Sequence, residues 1–214
     1  MNYSSRKKNK TVKFIVIHYT GMETLKLAYH KLSYNNSNVS IHYLISRNGN
    51  IFNLLCPKLK AWHAGKSKWK NYEDINDYSI GIELENKGHE FGYTNFSDKQ
   101  YSSLKKLILF LKHNFQILEK NIIFHSDIAP NRKQDPGEKF FINKIGVNRF
   151  KYKSKFKYKY SINELLSLYG FHKLYIKKYK KFCIKAVKRS LNYGLISSIE
   201  SKKFYKDFYN LLFN

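Results

Sequence analysis

Apolar and polar residues alternate in short blocks over the first two thirds of the chain. Strands are predicted where β-branched and apolar residues concentrate, at 11–18, 39–46, 51–55, 79–85 and 121–126. The Asn-Gly pair in "RNGN" at 47–50 predicts a hairpin. Helices are expected at 23–33 and after Ser97, which has Gln100 at the third helical position. Strands separated by helices predict an α/β fold with a mixed central sheet flanked by helices.

The pattern changes near residue 148, where lysine and aromatic residues follow one another without clear periodicity. Ser161 and Glu164 then form a capping box, and Gly170 ends the helix that this box begins. Apolar residues recur at helical spacing in two later segments, with Phe182 on the buried face of the first. These segments predict helices at 179–191 and 199–212.

These changes in pattern predict three parts of the chain. Residues 1–10 form a basic N-terminal tail, and residues 11–148 form the main α/β domain. Residues 149–214 comprise a basic linker and a small three-helix domain. The 214-residue chain is long enough to bury a full core without disulfides.

A formal net charge of +25 is typical of proteins that bind nucleic acids, because lysine and arginine neutralise phosphates. However, the lysines are scattered along the whole chain, and no recognised nucleic-acid motif accompanies them. We therefore expect no specific nucleic-acid partner, although attraction to anionic cell-wall polymers or membrane surfaces stays compatible with the charge. Cys56 and Cys183 lie far apart, which argues against a disulfide framework and excludes a cysteine-based zinc site.

No apolar run is long enough to span a membrane, and the basic start "MNYSSRKKNK" leads straight into a predicted strand. No secretory signal is recognisable. The sequence predicts a soluble, cytoplasmic and monomeric protein, with a periplasmic or exported location as the alternative if the N-terminus is truncated.

The segment "FHSDIAPNRKQDPG" at 124–137 concentrates reactive side chains between two prolines, which suits a metal centre, an ion-pair network or a tight turn. His125 ends the last predicted strand, His18 ends the first, and Asp135 follows His125 by ten residues. Two imidazoles and a carboxylate would give zinc three protein ligands and leave a fourth position for water. From spacing alone, ordinary core or surface histidines are the alternative.

The strand "SIGIELEN" at 79–86 offers a general base for such a water. Glu83 and Glu85 both lie on the face opposite its isoleucines, so alternation cannot choose between them. An acidic residue within the strand is costly unless paired or functional, whereas one at the strand end can be solvated, which favours Glu83. An ion pair with a basic residue is the alternative.

Five sequence blocks follow one another along the first two thirds of the chain: "VIHYTG" at 16–21, "VSIHYLI" at 39–45, "AWHAGKSKW" at 61–69, "INDYSIGIELEN" at 75–86 and "HSDIAPNRKQDPG" at 125–137. In order, these blocks resemble those of the zinc-dependent type 2 N-acetylmuramoyl-L-alanine amidases, whose fold is shared with the peptidoglycan recognition proteins. The likeness spans roughly residues 11–145 and is greatest to the branch with a C-terminal helical peptidoglycan-binding-like domain.

The resemblance implies a role for each candidate residue. One zinc ion per chain would be held by His18, His125 and Asp135. Glu83 would be the catalytic glutamate, and Lys133 would stabilise the developing oxyanion. The bond cut would be the amide between the lactyl group of N-acetylmuramic acid and L-alanine, in peptidoglycan or in intact or anhydro muropeptides.

Three further residues are candidates for substrate contact. Trp62 and His63 would line the glycan or peptide groove, or would only pack their loop. Arg132 would bind a stem-peptide carboxylate, or would simply be solvated. The family also includes recognition proteins, so a muropeptide-binding protein without activity is the alternative function. Members of this branch are often exported or lipid-anchored, whereas this chain shows neither a signal nor a lipidated cysteine.

Overall fold

A computed structural model of the protein describes residues 2–34, 37–148 and 160–213. Most of the predicted basic linker, residues 149–159, lies outside these ranges. The strands described are β1 (Tyr3–Ser4), β2 (Phe14–Tyr19), β3 (Tyr43–Ile45), β4 (Ile51–Asn53), β5 (Lys60–Ala61), β6 (Lys68–Trp69), β7 (Tyr72–Glu73), β8 (Ser79–Leu84) and β9 (Ile122–Phe124). The α-helices described are α1 (Leu25–Ser33), α2 (Gly88–Phe91), α3 (Asp98–Phe115), α4 (His125–Ile128), α5 (Ile162–Tyr169), α6 (Lys173–Ser190) and α7 (Lys202–Phe213).

The central sheet has five strands in the order β4-β3-β8-β2-β9. β3, β8, β2 and β9 run parallel, and β4 pairs antiparallel with β3 through the predicted Asn-Gly hairpin. The predicted α/β class with a mixed central sheet is therefore confirmed. The register places His18 of β2 opposite Glu83 of β8. Because paired residues of parallel strands point to the same face, both side chains face the same side of the sheet.

Each face of the sheet is covered by different helices. Ile15 and Ile17 of β2 belong to an apolar cluster that includes Leu104 and Ile108 of α3. The alternate residues Phe14 and Val16 belong to a second cluster, which the C-terminal helices complete through Leu165, Leu166, Tyr169, Ala186, Val187, Phe204 and Phe208. Both sides of β2 are therefore buried, as a near-continuous apolar run in a parallel strand requires.

Two helices begin at the predicted capping boxes. The Ser97 hydroxyl accepts a hydrogen bond from Gln100 N at 3.1 Å, and the Gln100 side chain accepts one from Ser97 N at 3.0 Å. Ser161 and Glu164 repeat this exchange at the start of α5, where Gly170 is the C-terminal cap. Each box satisfies backbone N–H groups that have no partner within the helix.

The structure corrects two details of the prediction. His125 does not end the last strand, because β9 stops at Phe124 and His125 is the first residue of α4. Phe182 does not face the core. Its side chain is 42% exposed, because α6 starts earlier than expected, at Lys173, and departs from helical geometry at Tyr179, so that Cys183 and Ile184 face inward instead.

The segment set apart as a basic tail contacts the main domain through several of its residues. β1 pairs antiparallel with β5. The Arg6 guanidinium donates hydrogen bonds to the backbone oxygens of Asn76 at 2.8 Å and Ser79 at 2.9 Å. Arg6 therefore holds the turn that precedes β8. In the ranges described, no helix combines the length and apolarity that crossing a membrane requires.

Candidate active site

Three side chains converge at the carboxyl ends of the central strands. His18 Nδ1 lies 2.9 Å from His125 Nδ1, and Asp135 Oδ2 lies 3.0 Å from each of these nitrogens. All three residues are buried, with exposed fractions of 1%, 3% and 6%. Two imidazole nitrogens and one carboxylate oxygen in a tight triangle form a donor set suited to a metal ion with a further open position.

The fold brings these residues together from distant parts of the chain. His18 is near the end of β2, and His125 directly follows the neighbouring strand β9. We call residues 125–137 the ligand segment. It returns to the site because Ser126 N donates a hydrogen bond to Asp135 O at 3.0 Å. Both ends of the segment therefore lie beside His18.

A chain of hydrogen bonds fixes the tautomer of His18. The Ser79 hydroxyl donates to Ile75 O at 2.7 Å, so its oxygen accepts from His63 Nε2 at 3.1 Å. His63 Nδ1 is then an acceptor, and it lies 3.0 Å from His18 Nε2, which must carry the proton. The lone pair of His18 is therefore on Nδ1, the atom that faces His125 and Asp135.

The same loop orients the second histidine. His125 Nε2 lies 3.4 Å from Ala64 O and can donate to it, which leaves the lone pair on Nδ1. Asn76 Oδ1 accepts hydrogen bonds from both His63 N and Ala64 N, at 3.1 and 2.8 Å. The "AWHAG" block thus supplies one partner to each candidate histidine ligand, and the "INDY" block holds it in place.

The electrostatics of the site favour the protonation states that metal ligands need. Burial, followed by repulsion from His125, lowers the pKa of His18 to about 4. Burial alone would raise the pKa of Asp135, but its interactions with His125 and His18 hold that pKa far below its ordinary value. His18 is therefore neutral and Asp135 is ionised near neutral pH.

Glu83 lies in the same cleft with an unusual environment. Burial raises its pKa well above the ordinary value, and the negative charge of Asp135 raises it further. Its Oε2 atom is buried and has no hydrogen-bond partner among the described residues. In contrast, Glu85 Oε2 accepts a hydrogen bond from Arg47 N at 2.6 Å. Of the two glutamates, Glu83 therefore lines the cleft with a carboxyl oxygen that is unpaired within the described part of the chain, and its role as the general base stays a prediction.

An open cleft leads to these groups. It is lined by the three converging side chains and by Glu83, Arg132 and Lys133. Lys133 is exposed and follows α4 in the ligand segment. The cleft therefore combines a candidate metal site, a buried carboxyl and cationic side chains, which is the set of groups that amide hydrolysis uses.

The residues predicted to contact substrate lie in different settings. Trp62 is 37% exposed, and its indole Nε1 lies 3.5 Å from Ser4 Oγ in β1. His63 lines the cleft but lies against the ring of His18. Arg132 lines the cleft too, and its guanidinium donates to the backbone oxygens of Ala64 and Lys66. Substrate contact by these three residues stays a prediction. Sequence reasoning missed two supporting roles, in which His63 accepts a hydrogen bond from His18 and Arg132 holds the backbone of Ala64 and Lys66.

Comparison with known proteins connects this arrangement to a family. Residues 8–138 match the family Amidase_2, described as N-acetylmuramoyl-L-alanine amidase. The chain is 43% identical over 103 residues to the 1,6-anhydro-N-acetylmuramyl-L-alanine amidase AmpD of Haemophilus influenzae, a match that covers 48% of this chain and 54% of that protein. It is 37% identical over 142 residues to the N-acetylmuramoyl-L-alanine amidase AmiD of Escherichia coli, covering 60% of this chain and 50% of AmiD.

The similarity to solved structures covers more of the chain than the sequence matches do. The complex of Escherichia coli AmiD with anhydro-N-acetylmuramic acid-L-Ala-D-γ-Glu-L-Lys is similar with a TM-score of 0.78 and 26% identity, covering 94% of this chain and 88% of that one. AmpDh3 of Pseudomonas aeruginosa, at 24% identity and a TM-score of 0.79, shares the fold over 97% of this chain and 94% of its own.

In sequence, the chain spans about half the length of the curated relatives it matches. The family match nevertheless covers more than half of the chain and includes β2, the "AWHAG" loop, β8, the ligand segment and every member of the converging triangle. The chain therefore belongs to the N-acetylmuramoyl-L-alanine amidase family.

Proposed function

We propose that the protein is a zinc-dependent N-acetylmuramoyl-L-alanine amidase that hydrolyses the amide between the lactyl group of N-acetylmuramic acid and L-alanine. The observation that carries this proposal is the triangle of His18, His125 and Asp135 in one cleft with the buried carboxyl of Glu83. The solved AmiD complex holds an anhydro-muropeptide, which supports muropeptides as the substrate class.

The donor set fits zinc in particular. Two neutral imidazoles and one ionised carboxylate are ligands that zinc accepts at tetrahedral sites, and a catalytic zinc keeps one position open. Bound there, zinc would lower the pKa of a water molecule and polarise the substrate carbonyl. The hydrogen bonds from His18 to His63 and from His125 to Ala64 hold both rings in the tautomer that such binding needs.

Two residues of the chain would handle the proton and the charge. Burial raises the pKa of Glu83 above that of an ordinary carboxyl, which strengthens it as a base, so this group would accept a proton from water and deliver it to the leaving amine. The Lys133 ammonium, at the same cleft, would stabilise negative charge that develops on the amide oxygen. Arg132 and Lys133 also give the cleft positive charge that suits stem-peptide carboxylates.

The decisive test combines metal analysis with mass spectrometry of digested muropeptides. Purified protein is incubated with paired substrates that carry either a reducing or a 1,6-anhydro sugar. We expect a free stem peptide and a free sugar, and we expect chelation to stop the reaction and added zinc to restore it. Zinc-loaded protein that leaves both substrates intact would contradict the proposal, and recovery of bound, uncut muropeptide would support the non-catalytic alternative.

Glu83→Gln is the sharpest single variant, because it keeps the size of the side chain and removes the base. We expect kcat to fall by about 10²- to 10⁴-fold with zinc content unchanged. Glu85→Gln is the matched control, since its amide oxygen can still accept from Arg47 N, and it should keep the parent kcat. Unchanged turnover in Glu83→Gln would remove Glu83 from the mechanism.

A further inference from the structure

The C-terminal helices reach the ligand segment through one buried tyrosine. Tyr169, the last residue of α5, is fully buried, and its hydroxyl donates a 2.8 Å hydrogen bond to Asp127 Oδ1. The same hydroxyl lies 2.7 Å from Ser190 Oγ at the end of α6. A single side chain of α5 therefore joins α6 to the short helix α4, whose first residue is His125.

The position of the Tyr169 ring is fixed by aromatic packing. Trp69 meets it edge to face at 5.7 Å, Phe171 stacks on it at 5.2 Å, and Phe208 of α7 meets it at 5.8 Å. Because the ring is confined on several sides, its hydroxyl has a defined place beside α4. Removing the hydroxyl would leave this packing intact.

Asp127 carries the contact on to the candidate metal ligands. Its Oδ2 accepts a hydrogen bond from Phe124 N at 2.9 Å, at the junction between β9 and α4. His125 lies at that junction as the first residue of α4, and the N–H of the adjacent Ser126 donates a hydrogen bond to Asp135 O. The hydroxyl of Tyr169 thus acts on the piece of backbone that sets the positions of both His125 and Asp135.

A second contact from the same helices lies farther along the ligand segment. Arg189 of α6 donates from Nη2 to Gln134 Oε1 at 3.2 Å, directly between Lys133 and Asp135. Burial lowers the pKa of the Arg189 guanidinium, which is consistent with its place between α6 and the main domain. The C-terminal helices therefore touch the ligand segment near both of its ends.

We propose that Tyr169 is a positioning residue for the metal site, and that the C-terminal helices brace the ligand segment through Tyr169 and Arg189. This inference rests on the metal site proposed above. It gives the helices a role in organising the catalytic cleft, which is separate from any binding of cell wall. The brace acts through Asp127 and Gln134, and Tyr169 itself touches neither metal nor substrate.

The test compares two Tyr→Phe variants within the C-terminal helices. Tyr169→Phe removes only the hydroxyl that contacts Asp127. Tyr205→Phe is the matched control, because the Tyr205 hydroxyl of α7 donates to Tyr160 O and, among the residues described, makes no hydrogen bond to the ligand segment. Zinc affinity is measured by competition with a chromophoric chelator. Hydrogen exchange of the Ser126, Ala129 and Lys133 amides is measured in the metal-free protein.

For Tyr169→Phe we expect the zinc dissociation constant to rise about tenfold, as it does when outer hydrogen-bond partners of a metal site are removed. We also expect faster exchange of the three ligand-segment amides. Tyr205→Phe should change neither quantity. Arg189→Met, which keeps the aliphatic stem, is the second variant and should raise the dissociation constant in the same direction.

Each outcome separates this inference from the proposed function. In one outcome, the parent protein binds zinc and cleaves muropeptide while Tyr169→Phe and Arg189→Met match it in zinc affinity and in hydrogen exchange of the ligand-segment amides. That result would contradict the proposed brace and leave the proposed amidase activity supported. If the parent binds zinc and does not cleave, the proposed activity fails and the affinity comparison still decides the brace. A parent protein that binds no zinc would overturn both.

Discussion

At the scale of single residues, the orientation of each candidate ligand depends on the partner of its other ring nitrogen. His18 and His125 present Nδ1 to Asp135 because their Nε2 atoms have acceptors on the "AWHAG" loop. The acceptor at His18 is itself a histidine, whose tautomer is fixed by Ser79. This chain of hydrogen bonds from Ser79 through His63 to His18, here called the relay, determines which lone pair of His18 faces the metal site. Its effect is therefore on metal binding and does not depend on substrate.

His63→Ala should therefore weaken zinc binding. Without an acceptor for Nε2–H, the His18 ring loses its orientation, and we expect the zinc dissociation constant to rise by about 10- to 100-fold. His63→Asn should lose less zinc affinity, because the asparagine Oδ1 can accept the hydrogen bond from His18 in place of His63 Nδ1. His113→Ala, at an exposed position of α3, is the control for loss of a histidine. Equal zinc affinity in all three variants would exclude the relay.

Asp77 supplies a pH dependence of stability away from the site. Its carboxylate is 1% exposed and lies 3.1 Å from Lys60 Nζ. Burial alone would raise its pKa, but hydrogen bonds from Lys60 and the Lys7 backbone outweigh this and lower the pKa below 3.8. The unfolded chain takes up this proton first as pH falls, so the stabilisation is complete above the ordinary carboxyl pKa and is lost progressively as pH falls from there through the lowered pKa of the folded protein.

Asp77→Asn should thus lower the free energy of unfolding at pH 7 by about 1–3 kcal/mol, because it weakens a buried charged hydrogen bond. Urea unfolding at several pH values measures the difference. The gap between parent and variant should shrink as pH falls through the lowered pKa of Asp77. A gap that stays constant down to strongly acidic pH would contradict this assignment.

At the scale of elements, the strands and helices of the central sheet were predictable because each has its own periodic pattern. β2, β8, α3 and α5 appear where alternation, helical spacing and capping boxes place them. The two-residue strands β1, β5, β6 and β7 were not predicted, since so short a pairing leaves no periodicity in the sequence. The exposure of Phe182 was missed because the start and the kink of α6 change which residues face inward.

The candidate site was predictable in part. Residues at strand ends and the family resemblance indicated His18, Glu83, Lys133 and Asp135, and the structure gathers these residues in one cleft. The orienting role of His63 and the links from α5 and α6 were not predictable. They depend on long-range contacts, and no local pattern connects position 63 with 18, or 169 with 127.

The C-terminal helices pack closely against the main domain at Gly170, so a substitution there tests this packing. It has a φ of 131°, and a Cβ there would lie 2.3 Å from the Trp69 ring. Since Trp69 is fully buried and cannot move aside cheaply, Gly170→Ala should destabilise the protein by about 2–4 kcal/mol. Thermal unfolding measures this loss. Gly194→Ala, where nothing lies within 4 Å of the added Cβ, is the control.

At the scale of the whole molecule, one face of the central sheet and the C-terminal helices share a single apolar cluster. The predicted division into domains at 11–148 and 149–214 stays a prediction, but the two parts bury their apolar faces against each other. Separating them would expose Phe14 and Val16 of β2, together with the inner faces of α5 and α7. We therefore expect the helices and the sheet to unfold together.

The net charge of +25 yields a prediction at the same scale. Scattered lysines without a nucleic-acid motif should give only non-specific attraction, which weakens steeply as the salt concentration rises because the release of counterions from DNA is then less favourable. In a retention assay on duplex and single-stranded DNA, we expect release by about 0.2 M salt and no preference for sequence. Retention above that salt with a sequence preference would instead indicate a dedicated nucleic-acid role.

The central position of β2 also has a consequence for synthesis. β2 is made before β8 and β9, its partners in the sheet, so Ile15 can meet Ile80 and Ile122 only after those later segments have left the ribosome. Parallel pairing between such distant segments is slow, and apolar strands that wait for partners are exposed to other chains. The growing chain, more than the finished protein, therefore carries the aggregation risk of the segment "FIVIHY".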